Sequence, residues 1–449
     1  MSLMTDQQTI NDLRLFGKGG NDGIYALFNR THTKGGSELL EDMFRRPLSD
    51  EHAINARSSV IRYFAEHAIP FPYENHWFDA AEHYLSDTDE RTQLSHQEDN
   101  LARKFNQIIA ADTHYKTIEK GVAGLMGILQ ATRAFVNDAR QRMAGLPYHE
   151  EIDAMDKLLS TPALQPLLAE NGKQKFSFAT LSVYDQLLRF RERNKLRQLL
   201  DHIYLADVLL SVAGTARARG YAFPKAVAKE QQTVTLENCW HPSLEKPVKN
   251  SLEITPAGNV LFLTGANMAG KSTFMKSLGI AMYLGHMGFP VPASKMEFAV
   301  RDGIFTTINL PDNLSQGASH FYAEVLRIKN VARELSRDKY LFVIFDELFR
   351  GTNVKDAYEA TIAVTSAIAR RRNCMFVVST HIIEAGEVLK EKCGNIRFMY
   401  LPTLLSEGKP VYTHRLTEGI TADRHGMVII KNEGILDILS RKKTEKKST

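Results

Sequence analysis

The sequence predicts a multidomain protein, an all-α helical core with long lever-like helices followed by an α/β domain built on a phosphate-binding loop. Three observations carry that expectation. Two long, nearly proline-free stretches, residues 101–146 and 179–219, repeat apolar residues at helical intervals. From Gly220 onward short β-like runs alternate with helical patterns, as in a mostly parallel sheet flanked by helices. Within that half, residues 260–275 run from apolar β-formers through a glycine-framed loop into a helix, with Gly265, four residues, then Gly270-Lys271-Ser272.

The 449 residues exceed what one small core organises, so two or three domains are expected. Hydrophobic residues at 43% and charged residues at 24% are those of an ordinary globular chain. The net charge of +4 is spread among interspersed acids and bases, which permits nucleic-acid contact without arguing for it. Cys239, Cys374 and Cys393 have no paired or metal-like spacing and read as buried thiols in a reducing compartment. The N-terminus has no secretion signal, and no uninterrupted apolar run reaches the ~18 residues of a membrane span, so the expected location is the cytoplasm, with no membrane partner.

In chain order, residues 1–22 form a polar lead. Gly35-Gly36 is expected to turn into a short helix capped by Ser37, with Leu39, Leu40, Met43 and Phe44 as its apolar stripe and Pro47 as its stop. Another helix is expected from Glu51 to His67. The first long helix carries Ile118, Val122, Leu125, Ile128, Leu129 and Val136, and the second carries a charge block from Arg189 to Arg197 that reads as a solvated face. Domain boundaries are expected at 23–219 for the helical core and 220–435 for the α/β domain, with residues 436–449 a basic, disordered tail.

The glycine-framed loop has the form of a nest whose N–H groups face phosphate oxygens, backed by the positive end of the following helix. Lys271 then falls where β- and γ-phosphates would lie, and Ser272 where Mg²⁺ would. The strand ending in Asp346-Glu347 has the form of a Walker B element, with Asp346 for the metal shell and Glu347 to orient or deprotonate water. The run ending in Thr380-His381 would place an imidazole at a neighbouring strand end, as a γ-phosphate sensor.

In this order and spacing, TGANMAGKSTFMKSLG, FPVPAS, DELFRGTN and STH resemble the ATPase domain of the MutS family of DNA mismatch repair proteins, an ABC-ATPase-like P-loop domain. Asn267-Met268 inside the loop is characteristic of that family, and DNLSQGASHFYAEV resembles its signature segment. NRTHTKGGSELLEDMFRRPL resembles the start of its helical core. The resemblance implies Mg²⁺-dependent ATP hydrolysis, with Gly265, Ala266, Asn267, Met268, Ala269, Gly270, Lys271, Ser272 and Thr273 on the nucleotide. It makes Ser272 and Asp346 metal ligands, and Lys271, Glu347 and His381 the catalytic residues. Ser319 would reach the γ-phosphate held by the opposite subunit of a homodimer.

Double-stranded or branched DNA is the implied partner, with a repair protein as a further one. Departures qualify this. Only about two dozen residues precede the helical core, leaving no room in this sequence for a mismatch-reading domain, and residues 147–178 are short for a DNA-gripping clamp. Phe349 stands where the family usually has glycine, Gln316 and Ala318 replace a serine and an arginine, and Val248 falls where an aromatic commonly stacks on adenine. The expected function is a MutS-like DNA-binding ATPase. The alternatives are a nucleotide-gated module acting on branched DNA, ribosomes or a repair partner with little hydrolysis, and a generic ABC-type ATPase subunit, against which Asn267-Met268 argues.

Overall fold

The computed structural model describes residues 2–17, 22–94, 108–143, 145–170, 176–308, 320–406, 409–421 and 435–440. Contacts divide the chain into two compact units. One, the helical unit, comprises residues 27–45 and 59–218; the other, the α/β unit, comprises residues 1–26, 46–58 and 219–449. The helices are α1 Gln7–Asp12, α2 Ile24–Phe28, α3 Lys34–Arg45, α4 Glu51–Glu66, α5 Asn75–Ser86, α6 Ile108–Arg142, α7 His149–Leu159, α8 Gln165–Ala169, α9 Phe178–Asp185, α10 Arg193–Arg219, α11 Lys271–His286, α12 His320–Leu335, α13 Val354–Ala369, α14 Ile383–Lys392 and α15 Ile435–Ser440. The strands are β1 Lys225–Val227, β2 Val234–Cys239, β3 Asn250–Ile254, β4 Val260–Gly265, β5 Lys295–Ala299, β6 Gly303–Thr307, β7 Leu341–Phe345, β8 Met375–Ser379, β9 Ile396–Leu401, β10 Thr403–Ser406, β11 Lys409–Tyr412 and β12 Thr417–Glu418.

In the helical unit α3 begins at Lys34, so Gly35 and Gly36 lie inside the helix and not in the expected turn. The cap is Thr33, whose hydroxyl accepts from the Gly36 N–H at 2.9 Å, in place of Ser37. Asp207 of α10 in turn accepts from the Thr33 N–H and hydroxyl at 2.9 and 2.8 Å. A Cβ on Gly36 would lie 2.5 Å from that carboxylate, so the glycine is there for close approach of the two helices.

The second long helix is broken. A widened π-helical turn, Gln186–Arg191, separates α9 from α10. The reason is Arg189, which is 1% exposed instead of lying on a solvated face. Its guanidinium donates to Asp87 and Asp185 at 2.8 and 2.7 Å, and to the Thr92 carbonyl at 3.0 Å. Arg191, Lys195 and Arg197 of the same block are exposed, as expected. The C-terminal part of α10 is apolar enough that the helix meets the length and composition of a membrane span, yet 72% of its most apolar window is buried within the protein.

The α/β unit holds a six-stranded sheet in the order β12-β9-β4-β8-β7-β6, parallel except for β12, and a four-stranded sheet in the order β1-β5-β2-β3. Every residue of β4, β7 and β8 is buried, which is why these strands read as unbroken apolar runs. One face packs on α12, α13 and α14 through Val260, Phe262, Val343, Phe345, Phe376, Ala357 and Leu389. Helix α11 contacts both sheets and is buried along nearly its whole length.

Sequence reading assigned residues 1–22 to a lead and 46–58 to the helical core, whereas by contacts both fall in the α/β unit. Strands β1, β3, β5, β6, β10 and β12 carried no apolar signal that reading could separate from loop. Residues 436–440, placed in the disordered tail, are helical, and 441–449 lie outside the described residues. Cys239 and Cys374 are buried and Cys393 is half-buried, all three as free thiols. Burial pushes the Cys239 thiol up to about 12, so it is inert at neutral pH.

Candidate functional site

The loop between β4 and α11 follows from its sequence. Gly265 (φ 146°) and Gly270 (φ 103°) take conformations that side chains rarely adopt, and Met268 joins them at φ 70°. A Cβ on Gly270 would sit 3.0 Å from Nδ1 of His414, and that same Nδ1 is 2.9 Å from the Ala269 carbonyl. His414, which sequence reading did not single out, therefore braces the loop from beyond β11. Ala266 is half-buried, Ala269 buried, and Asn267, Met268 and Thr273 exposed.

Lys271 is the first residue of α11 and donates from Nζ to the carbonyls of Gly265 and Ala266 at 2.9 and 3.3 Å. Burial lowers its pKa, against the pull of Glu347 and Asp346. The Ser272 hydroxyl donates to Asp346 Oδ2 at 2.6 Å, and the Ser379 hydroxyl, at the end of β8, donates to Oδ1 of the same carboxylate. Burial raises the Asp346 pKa, and the two hydroxyls oppose that rise. Ser379 was missed as a site residue, although its place at the end of the run CMFVVS was the signal available.

Glu347 follows with φ 54°, its Oε1 2.5 Å from Nε2 of His381 and its Oε2 3.3 Å from Arg350. The His381 hydrogen bond holds the Glu347 carboxyl below the usual range, so it is ionised at neutral pH. The carboxyl ends of the adjacent strands β4, β8 and β7 thus bring Lys271, Ser272, Asp346, Glu347 and His381 together. Ser319, Gln316 and Ala318 lie outside the described residues.

A cavity of about 220 Å³ opens beside Asp346 and Glu347, walled by Ser272, Thr307, Ile308, Glu324, Ile328 and residues 348–350. Phe349 is 5% exposed and holds φ 64°, the left-handed region that glycine enters freely, so it meets a glycine-like backbone at a cost in strain. Its ring packs against Phe321 with centroids 6.0 Å apart.

For a divalent cation the donor set fits. Two hard oxygens, Ser272 Oγ and Asp346 Oδ2, are 2.6 Å apart. Mg²⁺ suits such a site, because it keeps several waters and takes its other ligands from phosphate.

Fold and site together define a protein with a helical unit and an α/β unit, whose parallel apolar strands end in lysine, hydroxyl, carboxylate and imidazole groups, the Ser272 hydroxyl and the two carboxylates lining one cleft. The chain belongs to the MutS family. MutS domain III matches residues 8–213, and MutS domain V matches residues 261–447. Among similar proteins are the DNA mismatch repair protein MutS of Streptococcus uberis (28% identical over 263 residues) and that of Petrotoga mobilis (27% over 281 residues). These matches cover 56% and 61% of this chain, but only 30% and 34% of the relatives. The matched stretch is thus about a third of the length of each.

Proposed function

We propose that this chain is a Mg²⁺-dependent ATPase of MutS type, whose nucleotide cycle in composite sites of a homodimer changes the grip of its helical unit on DNA. The carrying observation is the convergence of Lys271, Ser272, Asp346, Glu347 and His381 at three neighbouring strand ends. Phosphoryl transfer to water needs little covalent chemistry from the protein; it needs charge stabilisation, metal placement and an oriented nucleophile.

The residues divide those tasks. Lys271 can exchange its two carbonyl partners for β- and γ-phosphate oxygens, and the amides of residues 265–270 and the start of α11 cradle the rest. Ser272 and Asp346 would hold Mg²⁺, which neutralises charge developing on the β- and γ-oxygens. Glu347 is ionised and faces the cavity, so it accepts a proton from, or orients, the attacking water. His381, tied to Glu347, reports on the γ-phosphate. One such loop offers no further donor for the γ-phosphate, and Ser319 of a second copy would supply it.

DNA as the partner follows from kinship, in the cytoplasm where repair would take place. Steady-state ATP turnover, measured alone and with homoduplex, mismatched and four-way-junction DNA and with ribosomes, tests the whole reading. The expected result is Glu347-dependent turnover that DNA changes. Tight ATP binding without turnover would favour the nucleotide-gated module, and indifference to every DNA form at physiological salt would remove DNA from the reading.

A further inference from the structure

The N-terminal stretch, residues 2–15, was expected to be a polar lead, yet it is bonded into the α/β unit along β6, from Gly303 to the strand end nearest the cavity. Met4 pairs with Gly303 alongside β6, its N–H donating to Asp302 O and its carbonyl accepting from Ile304 N–H, both at 2.9 Å. Leu13 is 1% exposed and lies where Gly279 of α11 leaves room; a Cβ there would be 2.7 Å from Leu13 Cδ2. Asp12, also 1% exposed, accepts at Oδ2 from the Thr306 hydroxyl and the Ile308 N–H, each at 2.8 Å. Thr9 accepts at its hydroxyl from the Thr306 N–H at 3.0 Å. Asp6 caps α1 and pairs with Arg327, which also donates to the Thr306 carbonyl at 2.7 Å and the Thr307 hydroxyl at 3.2 Å.

Between Thr306 and Ile308, both held by Asp12, stands Thr307, whose carbonyl accepts the backbone N–H of Asp346 at 2.9 Å. Thr307 and Ile308 also wall the cavity. The path from the arm to the candidate metal ligand is therefore two hydrogen bonds long. We propose that residues 2–15 are a positioning element of the ATP site, in which Asp12 and Thr9 hold the end of β6 and so set where Asp346 and the cavity wall stand. This rests on the reading of that cavity as the ATP site.

A positioning role of this kind acts on the oriented transition state more than on ground-state binding, so it lowers kcat and leaves KM. Turnover and ATP binding are measured on the full chain for wild type, Glu347→Gln, Asp12→Ala, Asp12→Asn and Thr9→Val, each normalised to the folded fraction. Asp12→Ala is expected to lower kcat about tenfold or more, with KM for ATP changed less than about threefold. Asp12→Asn keeps an acceptor for the Ile308 N–H, because the Gln8 amide can turn to suit it, and recovers most of the rate. Thr9→Val keeps the shape of the side chain while removing the acceptor for the Thr306 N–H and the bond to Asp6, so without opening a cavity it is expected to lower kcat in the same sense.

An Asp12→Ala rate per folded molecule equal to wild type, a Thr9→Val rate equal to wild type, or an Asp12→Asn rate as low as that of Asp12→Ala overturns the arm proposal while the ATPase reading stands. A wild type without Glu347-dependent turnover overturns the ATPase reading, and the arm proposal with it.

Discussion

Two neighbouring acids at the end of β7 sit in environments that push their protonation in opposite directions. Asp346 is buried among hydroxyls and its pKa rises; Glu347 is bonded to His381 and Arg350 and its pKa falls. On the proposed reading Asp346 is the metal ligand and Glu347 the base, and the expected variants separate in the same way. Lys271→Ala should lose both nucleotide binding and turnover, whereas Glu347→Gln should bind ATP as wild type and lose about 10²-fold or more in kcat. Equilibrium binding of a fluorescent ATP analogue beside single-turnover hydrolysis separates the two.

His286 adds a pH effect of its own. Fully buried, it takes the Arg301 N–H on Nε2 at 2.9 Å and faces the Met282 carbonyl with Nδ1, and burial lowers its pKa to about 4. The unfolded chain therefore binds a proton that the folded chain refuses between the two values, so stability falls as pH drops from 6.5 toward 4. The loss is on the order of 3 kcal/mol at the acid end. Denaturant melts across that range should show a flatter slope for His286→Gln; an unchanged slope would place the acid sensitivity elsewhere.

At the scale of elements, the break between α9 and α10 illustrates how one residue redirects a helix. Gln186–Arg191 widens by a π-turn so that Arg189 points inward to Asp185, whose other oxygen accepts from the Tyr84 hydroxyl at 2.8 Å. Arg189→Met leaves Asp185 buried without its cation and should cost the helical unit about 3 to 5 kcal/mol. Adding Asp185→Asn should restore part of it, read as amide-exchange protection along α9 and α10. The same lesson holds for α3, whose glycines face Asp207 and Tyr204 of α10. Helical periodicity shows which side of an element is apolar but not what it will be pressed against.

For the whole molecule, the composite-site reading makes association depend on trapped ATP. Glu347→Gln with ATP and Mg²⁺ should sediment as a dimer, and Lys271→Ala should not; equal sedimentation of the two would remove the two-subunit mechanism. Much of the α/β unit was legible because β4, β7 and β8 are buried on both faces and so are written as plain apolar runs. Strands β1, β3, β5, β6, β10 and β12 are short, mixed in burial or at edges, and left no comparable mark.

The sequence by itself determined the glycine-framed loop, the acidic pair after β7 and the Thr380-His381 strand end, because each is set by the backbone conformation of a few consecutive residues. Tertiary structure alone decided that Ser379 would share Asp346 with Ser272, that His414 would brace the loop, and that Phe349 would take a glycine-like conformation. It also decided that Asp12 would bond to Thr306 and Ile308, nearly three hundred residues away. The physical reason is that a buried carboxylate, hydroxyl or amide must find a partner, and nothing in its neighbours along the chain says which one.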